Sequence, residues 1–234
     1  LPAWAPLFET CTSRAEFLTA LDQCTLTYEP RRASLYSDLD FILLGCVLEA
    51  AGGAPLDQQL TDILDDVFGH ASTMGLAYRP SADWLERIAP TQVDSRRGRL
   101  LIGEVNDENA WALGGVAGHA GLFGTAGALG QFARAVMRSL RGDENTPRQL
   151  ARQATMRTFV TASSIPGSSR ALGWDTMRPT SSCGGRMSPD AFGHTGFTGT
   201  SLWIDPRLGI YVVLLTNRVH PREGAAEPIQ QVRR

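Results

Sequence analysis

Lysine is absent from the 234 residues: all 22 basic side chains are arginine, set against 24 acidic ones. That absence removes the lysine a nucleotide phosphate loop requires. The glycine-rich runs GGVAGHAG (114–121) and GFTG (196–199) also lack the strand-before, helix-after setting of a dinucleotide fingerprint. A net charge of −2 and a pI near 6.1 give no electrostatic reason for a nucleic-acid or anionic-membrane partner. No apolar run reaches the roughly 18 residues a bilayer span needs, and LPAWAPLF at the start has no charged region leading into an apolar one, so it is not read as a signal peptide. An initiating Met is missing as well, which reads as a processed product or a fragment. Cys11, Cys24, Cys46 and Cys183 have neither CxxC nor metal-ligand spacing and read as buried thiols, leaving the compartment open. No GxSxG elbow is present, and His70, His119, His194 and His220 form neither HxxxH nor HxE, so no metal or other cofactor is expected.

What the chain does have is concentrated between Phe192 and Asn217. Leu208 to Thr216 is apolar, rich in β-branched residues and ordinary for a central strand covered on both faces. Thr200 to Ile204 is a shorter strand, and Asp205-Pro206-Arg207-Leu208-Gly209 supplies a turn between them. Ahead of this hairpin stands His194-Thr195-Gly196-Phe197-Thr198-Gly199, whose glycines let a ligand come close to the backbone.

Upstream, the periodicity is helical. Ser13 to Glu16 is a capping-box pattern for a helix reaching about Gln23. Ser37 or Asp38 can cap a helix that is apolar nearly all round and stops at Gly52-Gly53, which reads as a buried helix with Tyr36 just before it. Pro55 opens a surface helix over Leu56 to Val67. The stretch from His70 to Val105 reads as loops and short strands, with Arg96-Arg97-Gly98-Arg99 a solvated turn. Thr125 can cap a helix with Leu129, Phe132, Val136 and Leu140 on its apolar face. A further helix is expected from Pro147 to about Arg157, a strand from Ala171 to Asp175, and loop from Pro179 to Asp190. His119 reads as a packed, hydrogen-bonded loop histidine.

Tyr36-Ser37-Asp38 at a helix start, followed in order by His194-Thr195-Gly196 at a strand start, is more specific than either tripeptide alone. With YSDLDFILLG, GHAGLFGTAGALGQFARA, ALGWD and HTGFTGTSLWIDPRLGIYVVLLTN, it makes the chain similar to the serine β-lactamase, penicillin-binding protein and esterase superfamily over nearly its whole length. The similarity is nearest to the carboxypeptidase-like and esterase-like branches. It implies an α+β fold: an antiparallel sheet flanked by helices, beside a helical region. Residues 1–234 would form one partial domain, mainly helical to about 160, with the C-terminal strands and the start of the last helix over about 170–234.

The resemblance also says what is missing. The family's Ser-x-x-Lys cannot exist without lysine, and Leu1-Pro2 looks like the residues just after the family's His-Thr-Ser-Gly segment. The chain therefore resembles a C-terminal part of a hydrolase, incomplete at both ends. The implied roles are Tyr36 as general acid/base, His194 and Thr195 orienting substrate, and Gly196 and Phe197 forming the turn that offers an oxyanion N–H. Ser37 and Asp38 would hold Tyr36 and the helix start. Asp38 stands where the family has Asn, and His194 where it has Lys, so the positive charge expected there is partial near neutral pH. Both departures favour an ester or D-amino-acid peptide over a β-lactam. The alternative is a noncatalytic binding module for cell-wall peptide or a protein partner. A cell-wall substrate would place the parent in the periplasm or outside the cytoplasm, whereas an esterase could be cytoplasmic.

Overall fold

The computed structural model describes residues 1–69, 75–142, 148–224 and 226–234. The first helix, α1 (Arg14–Asp22), starts at Ser13 with both halves of the capping box formed. Ser37 caps α2 (Asp38–Gly52) by accepting the Asp40 N–H at 3.1 Å, and Gly53 ends it. Next, α3 (Leu56–Phe68) follows Pro55 and ends at Gly69. Strand β1 (Leu76–Tyr78) pairs antiparallel with β4 (Leu122–Gly124), and β2 (Val93–Asp94) with β3 (Arg99–Leu100). In the chain α4 (Glu108–Ala112), capped by Asp107, lies between β3 and β4, and after β4 comes α5 (Ala126–Arg141), capped by Thr125. Helix α6 (Gln153–Val160) and the C-terminal α7 (Glu227–Arg233) complete the α-helices described, and short 3-10 helices lie at Leu7–Glu9 and Ala82–Arg87.

The remaining strands, β5 (Asp175–Thr176), β6 (Phe192–Thr195), β7 (Ser201–Asp205) and β8 (Ile210–Leu214), form one antiparallel sheet in sequence order. The fold is α+β. Ala133, Val136 and Met137 of α5 and Met156 of α6 pack on Phe192 and Ile204 of the sheet, with Trp174 edge-on to Phe192 at 5.1 Å. A second cluster joins Phe17 and Leu21 of α1 to Leu39 and Ile42 of α2. The turn between β7 and β8 is fastened by the buried Asp205 carboxylate, which accepts the N–H groups of Arg207, Leu208 and Ser188.

Several expectations change. Helix α2 is not buried all round: Leu39, Ile42, Gly45 and Cys46 are covered, but Leu43, Leu44, Val47 and Leu48 are exposed, because α1 and α3 reach only part of its circumference. Strand β8 is an edge strand in the described sheet, with Ile210 and Val212 about half exposed, and β7 is the buried strand instead. Arg97 is not solvated: its side chain is 2% exposed, pairs with Asp94 and donates to the carbonyls of Val105 and Asn106. The helix expected from Pro147 begins only at Gln153, because Ala151 N–H and the Gln153 side chain are bonded to Ser139 Oγ and Leu140 O at the end of α5. Pro147 itself lies outside the described residues, as does His70. Ala171 to Trp174 is a turn closed by Ala171 N–H on Trp174 O at 2.9 Å, and the strand is confined to Asp175 and Thr176. Among the described residues no single helix is long and apolar enough to cross a membrane.

Candidate functional site

Tyr36 ends the extended segment in front of α2, and the chain's first residues brace that corner. Buried Ser37 donates its Oγ–H to Pro2 O at 2.6 Å while capping α2, and Asp38 N–H donates to Ala3 O at 2.9 Å. Asn109, in the NDENAW run, clamps the same segment. Its Nδ2 donates to Ala5 O and its Oδ1 accepts Phe8 N–H, both at 2.9 Å. Ser37 thus caps the helix start.

His194 lies on β6 with its ring centroid 5.7 Å from that of Tyr36, so the two tripeptides, far apart in sequence, meet. Its Nδ1 is 2.9 Å from Thr195 O and its Nε2 is 3.2 Å from Arg170 Nη1. A carbonyl only accepts and a guanidinium only donates, so the ring carries its proton on Nδ1 and accepts at Nε2. Burial, and next the Arg170 charge, hold its pKa below the usual histidine value. The partial positive charge expected of His194 is therefore corrected: its neighbours favour the neutral ring. The fixed cation is Arg170, whose Cζ also stands 4.9 Å from the Tyr36 ring centroid. Sequence reading missed Arg170, because one arginine beside ALGWD has no spacing that marks it. Ser168 Oγ accepts its N–H, and its carbonyl accepts that of Ser163. An open cleft of about 560 Å³ adjoins it, lined by Ser34, Thr158, Thr161 and Ser163 among others.

After Thr195 the chain turns sharply. Gly196 N–H donates to Thr200 O at 2.7 Å, and Arg233 of α7 donates to Gly196 O and Thr200 O at 3.0 and 2.7 Å. Gly199, with φ of 115°, has the backbone conformation that closes this turn without a side-chain penalty. Phe197 is exposed, lies under the Arg218 guanidinium at 4.6 Å and accepts Arg218 Nε–H on its carbonyl at 2.6 Å. Its own N–H bonds to none of the described residues.

Burial raises the Tyr36 pKa, the negative charge of the nearby Asp38 carboxylate adds to the rise, and Arg170 opposes it. Asp38 is likewise raised by burial, with His119 pulling against it and Asp107 adding to it. Among the described residues no group of three His, Cys, Asp or Glu could hold a metal ion.

Comparison with known proteins shows the family and the fold. The Beta-lactamase family description matches residues 1–233. A protein of Escherichia coli K12 named putative D-alanyl-D-alanine carboxypeptidase is 32% identical over 226 residues, covering 88% of this chain and 50% of the relative. The chain thus spans about half the length of the curated relatives it matches. Among solved structures, EstCE1, described as a hydrolase with promiscuous acyltransferase activity, superposes with a TM-score of 0.66 at 20% identity, over 93% of this chain and 60% of that one. The penicillin-binding protein of Bacillus halodurans gives 0.63 at 16% identity, over 94% and 61%. With its α+β architecture and a family match over nearly every residue, this chain belongs to the beta-lactamase family.

Proposed function

We propose that residues 1–234 supply the acid/base and substrate-holding half of a serine hydrolase that works through an acyl-enzyme on an ester or D-amino-acid peptide. The observation that carries this reading is the cluster of Tyr36, His194 and Arg170, which unites both tripeptides around one fixed cation. Tyr36 passes the proton between nucleophile and leaving group, with the Asp38 carboxylate nearby. Arg170 attracts a substrate carboxylate, and neutral His194 orients it. Thr195 and Gly196 line the strand on which substrate lies, and the unpartnered Phe197 N–H serves an oxyanion. A relative named putative D-alanyl-D-alanine carboxypeptidase at 32% identity supports the peptide, and the fold shared with EstCE1, described as a hydrolase with promiscuous acyltransferase activity, is compatible with acyl transfer.

The nucleophile is outside this sequence, which contains no Ser-x-x-Lys. Loss of such a group costs on the order of a million-fold in turnover. A serine-directed acylating probe is expected to leave residues 1–234 unlabelled and to label the product of the complete coding region. Labelling of the 234 residues alone would refute the assignment. A complete product that also lacks Ser-x-x-Lys would favour the noncatalytic module that binds cell-wall peptide, the second reading, to which the absence of lysine here lends weight.

A further inference from the structure

Every carbonyl of residues 196–200, the turn that carries the Phe197 N–H, is held by a donor. Gly196 O accepts Gly199 N–H at 3.1 Å, and Thr200 O accepts Gly196 N–H at 2.7 Å. Phe197 O accepts Arg218 Nε–H at 2.6 Å, Thr198 O accepts the Arg218 backbone N–H at 2.9 Å, and Gly199 O accepts the Thr216 hydroxyl at 2.6 Å. The turn is closed by these bonds alone. Those of Arg233 Nη2, to Gly196 O and Thr200 O, come in addition. Helix α7 presents Arg233 firmly: Ile229 is buried, and a Cβ on Gly184 would stand 2.6 Å from Arg234 O at the end of the helix.

Gly196 O and the Phe197 N–H belong to one peptide group. Among the described residues only His220-Pro221 is cis, so in this group the carbonyl and the N–H point to opposite sides. A guanidinium on the carbonyl oxygen draws electron density through the amide, which strengthens the N–H opposite as a donor and fixes the plane it lies in. Arg218 acts one peptide further along, and Glu223 stands 3.6 Å from its guanidinium. Arg233 forms no ion pair among the described residues, and its Nε is buried without a partner. A partly covered cation without a carboxylate is unfavourable as a mere fastener of α7. Behind an amide that meets developing negative charge, the same cation is favourable.

We propose that Arg233 is a positioning residue for the oxyanion: its guanidinium on Gly196 O fixes and polarises the peptide that ends in the Phe197 N–H. The inference rests on the oxyanion role given to Phe197 above. Arg233 acts through the peptide and not on the substrate, and it lies in neither tripeptide.

The test uses Arg233→Gln, which removes the charge, and Arg233→Lys, which keeps it. In ¹⁵N-labelled residues 1–234 at fixed pH, the Phe197 amide proton is expected to exchange with water more slowly in Arg233→Gln, because a less polarised amide is a weaker acid. Arg233→Lys should restore most of the rate. If Arg233 only held the turn together, the Gly196 and Gly199 amides would exchange faster in Arg233→Gln and Phe197 no slower, which would overturn the proposal. Arg222→Gln, an exposed site with the same change of charge, is expected to leave Phe197 as it was, and equal slowing there would also overturn it. Arg233→Met keeps the side-chain stem and serves if the glutamine variant folds poorly. In the complete gene product, kcat for Arg233→Gln should fall about 10- to 100-fold, short of the roughly 100- to 1,000-fold cost of deleting an oxyanion donor, with KM little changed. A Phe197 amide that slows while kcat stays at the parent's value would overturn the oxyanion reading of Phe197 and leave the polarisation by Arg233 demonstrated.

Discussion

Asp38 is held in the folded protein with its pKa above the ordinary aspartate value, chiefly by burial, so folding disfavours its charged form. The folded state then binds the proton more tightly than the unfolded chain. The stabilisation this gives is complete below the unfolded aspartate pKa and is lost as pH rises through the folded one. Asp38→Asn removes the loss, so its melting temperature is expected to exceed the parent's at pH 7 and to converge with it in acid. Thermal melts at several pH values check this, and a constant gap would refute it. At His194 the signs are reversed. Burial and Arg170 lower its pKa, so Arg170→Gln should raise the imidazole midpoint seen by NMR, and no change would mean that Arg170 does not supply the charge felt there. Tyr36, Ser37, Asp38 and His194 were legible because each stands in a tripeptide at an element boundary. Arg170 was not legible, since its role comes from a turn in space rather than from spacing. His119 was read as a bonded loop histidine, which it is, but nothing in GHAG names Asp107 as its partner.

At the scale of elements, α2 and the loop pressed on it decide whether the site exists. Gly118→Ala would force backbone atoms apart at a 2.2 Å contact and is expected to cost about 1–3 kcal/mol, the range for overpacking. Gly185→Ala, with open space at its Cβ and no positive φ, should be near neutral, and equal losses in denaturant melts would refute the packing argument. Ser37→Ala deletes the α2 cap together with the bond to Pro2 O, and about 1–2 kcal/mol is expected. Capped helices were the most legible elements: Ser13, Ser37 and Thr125 all cap where their side chains predict. The failures share a cause. Ahead of α6 and around Ala171, side chain and backbone bonds to α5 and Trp174 override local propensity, and such contacts leave no periodic trace.

For the whole molecule, two apolar surfaces stand in tension with ordinary folding. A helix that is apolar nearly all round is normally covered, yet Leu44 and Val47 of α2 are 44% and 53% exposed. On the sheet, β8 has an unpaired edge among the described strands, and Ile210 and Val212 are 45% and 50% exposed. Contiguous apolar faces and open strand edges both drive association, the first by the hydrophobic effect and the second by backbone pairing. The net charge of only −2 adds little repulsion against it. Residues 1–234 alone are therefore expected to self-associate as concentration rises, with sedimentation velocity showing the average mass climbing. Val47→Glu and Val212→Glu separate the two surfaces, since each introduces a charge that must be desolvated if its own face is the contact. A larger effect of Val47→Glu assigns the association to the helix, and a larger effect of Val212→Glu assigns it to the strand edge. A parent chain that stays monomeric throughout would mean that neither surface is sticky enough to matter.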